Sequence, residues 1–289
     1  MDLRTNGSLA QGVSVGDMGT KTTGNDLDNA WIHFDGARVA RSALLNAHAE
    51  VDASGEYRLT SEGIAPFEMI GQRLYTGRVA VAQAALSYRR ELFRVTKEYA
   101  DAKRIWSPVR SDATLSGIPQ LRALFEEAEA AGASLDAFVS RCEERLTPLL
   151  AAGQLPDPAL AHAIATAKVK AVEASIDLCW RLKQEVGSYA LMGSSGFVHL
   201  DFLNCCKFAE GDSRILMLKM ARDSLKSAKK GKSAQMSAEE MRLCSALGGA
   251  LSIANGDKAK EAQLWDDNWR TVYELAEASM ARSMDEFMR

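Results

Sequence analysis

The sequence predicts a mainly α-helical protein, a bundle preceded by a small β segment. Two observations indicate this fold class. From Pro66 onward, apolar residues recur at steps of three and four, which is the spacing of an amphipathic helix. Residues 1–60 are instead rich in Gly, Thr, Asn and Asp and contain a short strand-like alternation. We therefore expect strands only in about the first sixty residues, and an up-and-down helical bundle after them.

The β segment is most distinct at "WIHFDGARV", residues 31–39. Trp31 and His33 alternate with Ile32 and Phe34, as side chains do on the two faces of a strand. The Asp-Gly pair that follows these four residues predicts a turn.

The helical region begins with one long helix, because an apolar stripe runs from Val81 to Ala102. The segment "SPVRSDATLSGIP", residues 107–119, is expected to end it. Asp157, followed by a proline, predicts an N-cap, and "SAEE", residues 237–240, predicts a capping box. The helices expected after the first one cover roughly residues 119–131, 134–152, 158–186, 210–229, 237–251 and 258–286.

Composition and charge limit the classes of protein to which this sequence could belong. A formal net charge of −3 gives no electrostatic reason to expect a nucleic acid or an anionic membrane as partner. No apolar run approaches the roughly 20 residues that a membrane span needs. The five cysteines are odd in number and irregularly spaced, which fits neither a disulfide framework nor a zinc site. We therefore expect reduced thiols in an intracellular compartment, and no metal.

Two segments resemble acyl-CoA oxidases. "AEGDSRILMLKMARDSL", residues 209–225, resembles the family's Glu-Gly-Asp/Glu-Asn segment, which leads into the helix that closes the flavin site. "GVSVGDMGTKTTGNDLDNAWIHFDGARVARSALLN", residues 12–46, resembles the end of the family's middle β-domain, with Ala40 in place of a proline. The match covers roughly residues 12–230. It implies three parts: the end of the middle β-domain (1–60), the helical bundle (61–230) and a C-terminal helical extension (231–289).

The resemblance implies that Glu210 is the catalytic base. In the family, the glutamate of the Glu-Gly pair removes the α-proton of an acyl-CoA thioester. Such a base must be held close to the substrate and desolvated, which the apolar neighbours Phe208 and Ala209 would favour. A helix N-terminus beside it would offer free N–H groups to the developing oxyanion, and Gly211 would let the thioester approach the backbone. The alternative role for Glu210 is that of a helix cap.

The resemblance also implies FAD as cofactor. The family's Arg-x-Gln-Phe-Gly turn, whose arginine reaches FAD across a dimer interface, aligns with "KRIWS", residues 103–107. Lysine keeps the charge of that arginine but not its bidentate grip. A second flavin loop aligns with "EVGSY", residues 185–189, or less well with "GSSGF", residues 193–197, and glycines are missing in both registers. The cofactor-binding residues so implied are Lys103, Trp106, Gly187, Ser188, Asp212 and Arg214.

Two functions stay open from the sequence. Acyl-CoA oxidases are much longer, and the match begins inside their β-domain, so the N-terminal half is expected to be absent. The chain would then be part of a flavin-dependent enzyme of fatty acid β-oxidation, with acyl-CoA as substrate and a homodimeric or larger assembly. The family implies a peroxisomal location, although the last three residues are not a peroxisomal signal. Alternatively, the chain is a catalytically degenerate bundle that acts as a structural or protein-interaction subunit, which Lys103 and the glycine-poor loop favour.

Overall fold

The chain divides into two compact units, Met1–Gly71 and Gln72–Arg289. The computed structural model describes residues 2–47, 49–60, 66–231 and 234–289, with only the backbone for residues 66–73. The predicted domain boundary at residue 61 lies outside this description.

The described residues of the N-terminal unit form three antiparallel strand pairs. β3 and β4 form the longest pair, in a register that sets Gly16 opposite Trp31. A Cβ at Gly16 would lie 2.3 Å from the Trp31 ring, so only glycine lets the indole lie across the neighbouring strand. The predicted strand at residues 31–34 is confirmed, although both of its faces are exposed. The strands are β1 (Arg4–Thr5), β2 (Ser8–Leu9), β3 (Val13–Asp17), β4 (Ala30–Phe34), β5 (Ala49–Val51) and β6 (Tyr57–Leu59).

From residue 66 onward the described chain contains helices and the loops between them, with one isolated bridge between Arg104 and Thr114, so the predicted fold class is confirmed. Short 3-10 turns cover residues 187–199, where no element was predicted. Within the described ranges the α-helices are α1 (Pro66–Ala102), α2 (Pro119–Ala151), α3 (Pro158–Glu185), α4 (Phe202–Phe208), α5 (Ser213–Lys229), α6 (Ala238–Ser252), α7 (Lys258–Asp267) and α8 (Trp269–Met288).

Three predicted helix boundaries are wrong, and contacts in the structure explain two of them. The break expected near residue 132 is absent, because Gly132 is buried against Arg89 inside the continuous α2. The single helix expected over 258–286 is split at Asn268, whose amide donates to the Leu264 carbonyl at the end of α7 (2.8 Å). The helix expected to begin at Glu210 begins three residues later.

α3 is the central helix of the bundle. Its residues contribute to all three apolar clusters of the C-terminal unit, which also draw on α1, α2, α5, α6 and α8. A helix that is apolar on all sides must be buried on all sides. Lys168 lies in the middle of α3 and is fully buried, so its ammonium group requires partners inside the protein.

A buried polar network joins the C-terminal helices to α5. Ser237 accepts the N–H of Glu240 (3.0 Å), as the predicted capping box requires. The Glu240 carboxylate does not reach back to Ser237; it accepts from Ser224 Oγ (2.8 Å) and Arg282 Nε (2.7 Å). Glu240 is fully buried, so these contacts hold α6 and α8 against α5.

The described ranges contain no candidate membrane span and no candidate metal site, and two of their cysteines are poor nucleophiles. No helix there combines the length and apolar character that a membrane crossing requires. No group of three or more His, Cys, Asp or Glu residues there could hold a metal ion. Burial raises the pKa of Cys142 and of Cys179 to about 12, so these two thiols stay protonated and are poor nucleophiles.

Candidate active site

Glu210 lies in a tight turn between α4 and α5. Glu210 and Gly211 both adopt left-handed backbone conformations, with φ of 56° and 100°. The Asp212 carboxylate accepts the N–H groups of Arg214 (2.7 Å) and Ile215 (3.4 Å), so Asp212 is the N-cap of α5. Glu210 therefore does not cap the helix. A non-glycine residue in this conformation is strained by about 1 kcal/mol or more, and such strain concentrates at functional sites.

Lys168 fixes this turn from inside the bundle. Its Nζ donates to the carbonyl oxygens of Lys207 (2.6 Å) and Gly211 (2.9 Å) and to Ser213 Oγ (3.1 Å). These acceptors occupy all three donors of the ammonium group. Burial lowers the pKa of Lys168 to about 8, although the charge of Asp212 acts in the opposite direction. The end of α4 and the start of α5 are thus tied to one buried cation.

We expect the Lys168 contact to give stability a distinct pH dependence. Its pKa is about 8 in the folded chain and 10.5 when unperturbed, so between these values the unfolded chain binds more protons. The free energy of unfolding of the wild type should therefore rise relative to that of Lys168→Met as the pH increases from about 8 to 10.5. Urea denaturation across this range measures the difference. Lys170→Met, at a partly exposed position on the same helix, is the control; a pH-independent difference for Lys168→Met would contradict the assignment.

The Glu210 side chain lies against the bare backbone of α1. A Cβ at Gly77 would lie 2.2 Å from Glu210 Cδ and 2.4 Å from Oε2. The neighbouring Arg78 donates from Nε to the Glu210 carbonyl oxygen (2.9 Å). Gly77 thus makes room for the carboxylate while Arg78 holds its backbone. Neither residue was predicted, and the one local signal was a glycine within a helical pattern.

The predicted apolar shield around Glu210 is wrong for the described chain. Phe208 is 61% exposed and Ala209 is also exposed, because the Ala209 N–H closes α4 on the Cys205 carbonyl (2.9 Å). The predicted free N–H groups at the start of α5 are also partly wrong, since Asp212 already accepts two of them. What restricts Glu210 is its backbone conformation and its contact with α1.

The segment from residue 187 to Glu210 runs antiparallel along α1. Tyr189 stacks on Tyr99 with ring centroids 3.8 Å apart, the Tyr88 hydroxyl donates to the Gly196 carbonyl (3.0 Å), and Glu210 reaches Gly77. From residue 77 to residue 99 the helix rises about 33 Å. The residues next to Tyr189 and the turn at Glu210 are therefore at opposite ends of this stretch.

The predicted cofactor-binding residues consequently fall into two groups. Lys103 and Trp106 follow the end of α1, where the Lys103 carbonyl accepts the Leu115 N–H (2.8 Å), and the Tyr99–Tyr189 stack places Gly187 and Ser188 toward the same end. At the other end, Asp212 lies beside Glu210. Arg214 follows it, but its guanidinium lies over the Tyr273 ring of α8, 4.7 Å from the centroid.

The first group fits a flavin better than the second. Trp106 is 85% exposed, and Lys103 is exposed as well. Gly187 has φ of 62°, and a Cβ there would meet nothing within 4 Å, so a planar group could approach the backbone. Asp212 and Arg214, in contrast, are engaged in capping α5 and in stacking on Tyr273. Lys103, Trp106, Gly187 and Ser188 are all exposed at this end of α1.

The known proteins to which this chain is similar include several acyl-CoA oxidases. The chain is 27% identical over 240 residues to acyl-coenzyme A oxidase 2 of Yarrowia lipolytica, covering 76% of this chain and 33% of that protein. It is 30% identical over 108 residues to human peroxisomal acyl-coenzyme A oxidase 3, covering 35% of this chain and 15% of the human protein. The crystal structure of acyl-CoA oxidase-2 of Caenorhabditis elegans, bound with FAD, ascaroside-CoA and ATP, superposes with a TM-score of 0.79 at 14% identity, over 99% of this chain and 48% of that one. No protein-family profile matches the sequence.

These comparisons show that the fold of the chain is that of the C-terminal helical bundle of acyl-CoA oxidases. The chain spans between about a seventh and a half of the length of these three proteins. Its relatives are acyl-CoA oxidases, and its similarity to roughly their C-terminal portion supports a place in the acyl-CoA oxidase and dehydrogenase superfamily.

Proposed function

We propose that this chain carries the catalytic base of a flavin-dependent acyl-CoA oxidase or dehydrogenase, which forms the α,β-double bond of an acyl-CoA thioester. The observation that carries this proposal is the presentation of Glu210. It follows the end of α4 in a left-handed turn, with its side chain against Gly77 and its carbonyl held by Arg78. An α-proton beside a thioester is only weakly acidic, so its removal requires a base held in a fixed position.

Glu210 and the residues that hold its turn have separate roles in this chemistry. A Glu210 carboxylate oxygen accepts the α-proton. Lys168 and Arg78 hold the backbone on either side of the base, so that little reorganisation is needed when the proton moves. FAD, when bound, supplies the acceptor for the hydride that leaves the β-carbon. Lys103, Trp106, Gly187 and Ser188 would hold it.

The proposal includes a homodimer. Lys103 follows the C-terminal end of α1, whereas Glu210 contacts Gly77, about 33 Å of helix before residue 99. This separation favours an arrangement in which the Lys103 end of one chain serves the site that contains the partner's base. The peroxisomal name of the human relative supports a role in peroxisomal fatty acid oxidation.

A structural role is the second candidate function. Several large apolar side chains between the Lys103 end of α1 and the middle of this helix are exposed, and an interaction subunit would use them to bind another protein. They include Trp106 (85% exposed), Leu191 (81%) and Val198 (65%). This candidate predicts that Glu210 has no catalytic effect in any assembly.

A fusion enzyme tests the proposed function. The full chain is joined to the portion of Yarrowia lipolytica acyl-coenzyme A oxidase 2 that precedes the matched region, and FAD absorbance and acyl-CoA-dependent turnover are measured. We expect the fusion enzyme to bind FAD and to oxidise acyl-CoA, and the 289-residue chain alone to bind FAD weakly and to lack turnover. A fusion enzyme that holds FAD but leaves acyl-CoA unchanged would refute the enzymatic role. A lone chain that purifies yellow and turns over would refute its dependence on the preceding portion.

A further inference from the structure

A cavity of about 800 Å³ separates α1 from α2. This volume is within the range of pockets that hold small molecules. One part of its wall is apolar and contains Phe93, Phe125 and Ala128, with the two rings packed edge to face at 6.0 Å. Arg89 and Gly132 also line it. Because Arg89 is about 18 Å along α1 from Gly77, the cavity is separate from the turn at Glu210.

Arg89 is a buried cation without a matching acceptor. The residue is 3% exposed, and its Nη1 has no hydrogen-bond partner among the described residues. Its Nη2 lies at the cavity wall, 2.9 Å from the position that a Cβ on Gly132 would take. The nearby Asp136 carboxylate accepts from Arg90 through both oxygens at 2.8 Å. The Asp136 charge acts on Arg89, but no acceptor bonds to Nη1, and a buried donor without an acceptor is costly, so an acceptor at this wall would stabilise the protein.

The charges of the wall indicate what that acceptor is. Of the five basic lining side chains, Arg90, Arg94 and Lys97 already form ion pairs, and of the other two only Arg89 is buried, so a single carboxylate would meet its need for an acceptor. A planar guanidinium matches a carboxylate, and the phenyl rings offer an apolar surface beside it. The charged lining residues are Arg89, Arg90, Arg94, Lys97, Arg122, Asp101, Glu126, Glu129 and Asp136.

We propose that the cavity between α1 and α2 binds a small monocarboxylate with an apolar body, whose carboxylate pairs with Arg89 and whose body lies on Phe93 and Phe125. The bound carboxylate supplies the acceptor that the guanidinium lacks. Gly132 leaves the space that this pairing needs, since any side chain there would press on Arg89.

Calorimetric titration of the full chain with octanoate, octan-1-ol and inorganic phosphate tests the proposal. We expect saturable binding of octanoate, and weaker binding of the uncharged alcohol and of phosphate. Arg89→Met should weaken octanoate binding by about tenfold to a hundredfold, the usual worth of a charge-assisted hydrogen bond. The melting temperature of Arg89→Met without ligand should not fall, because an apolar side chain replaces an unpaired buried charge.

Two further variants keep the test decisive if Arg89→Met does not fold. Ala133→Trp, at an exposed lining position, should block octanoate without unfolding the chain. Arg94→Gln removes an exposed lining arginine that already pairs with Glu91 and Glu98 and should leave binding unchanged. Absence of octanoate binding, equal affinity for octan-1-ol, tighter binding of phosphate, or an equal loss in Arg94→Gln would each overturn the proposal.

Discussion

Replacing Glu210 with glutamine is expected to lower acyl-CoA turnover of the fusion enzyme by about 10²- to 10⁴-fold, the usual contribution of a general base. Glutamine has nearly the same shape and can keep the contact with Gly77 and the left-handed turn. It cannot accept the α-proton. FAD absorbance and the affinity for acyl-CoA should change little, because the lost interaction belongs to the transition state.

The control for this substitution is Glu239→Gln, which removes an exposed carboxylate near the start of α6. Its turnover should equal that of the wild type. If Glu210→Gln retains full turnover in an active fusion enzyme, the base lies elsewhere, and Glu210 is a structural residue of the α4–α5 turn.

Adding one methyl group at Gly77 is expected to reduce turnover by about 100-fold without lowering stability. A Cβ there would lie 2.2 Å from Glu210 Cδ, so the carboxylate must shift by roughly 1 Å, enough for a loss of this size. The atom displaced is the end of a flexible side chain, so the steric cost is small. Alanine also stabilises the interior of a helix relative to glycine by about 1 kcal/mol. Stability and activity should therefore change in different directions.

Gly249→Ala provides the matched comparison for Gly77→Ala. Gly249 lies inside α6, and a Cβ there would meet nothing within 4 Å. This variant should gain similar stability in urea denaturation and keep full turnover. Unchanged turnover in Gly77→Ala would show that contact with α1 does not position Glu210.

The sequence was sufficient for the fold class because helical periodicity is a local signal. Val81, Leu92 and similar positions lie on one stripe whatever the helix packs against. One wrong boundary has a tertiary cause. A break between helices was expected at residues 132–133, but Gly132 packs closely against Arg89, some forty residues earlier in the chain.

The candidate site was only partly accessible from sequence. Glu210 was identified through a resemblance, since no local pattern distinguishes a base from a capping residue. Lys168 and Arg78 hold the same turn, but they come from helices α3 and α1, 43 and 132 residues away from their partners Gly211 and Glu210. No sequence-spacing rule connects residues so far apart. Only the folded chain shows that Lys168 and Arg78 both bind the backbone of this turn.

Exchange of the α-proton tests most directly whether the turn at Glu210 carries the base. The fusion enzyme is incubated with acyl-CoA in deuterated water, and deuterium at the α-carbon of the recovered thioester is measured by mass spectrometry. Proton removal is thereby observed apart from hydride transfer. We predict deuterium incorporation with the wild type and with Glu239→Gln, and at least a 100-fold slower incorporation with Glu210→Gln. Equal incorporation by the wild type and Glu210→Gln would contradict the assignment of Glu210 as the base.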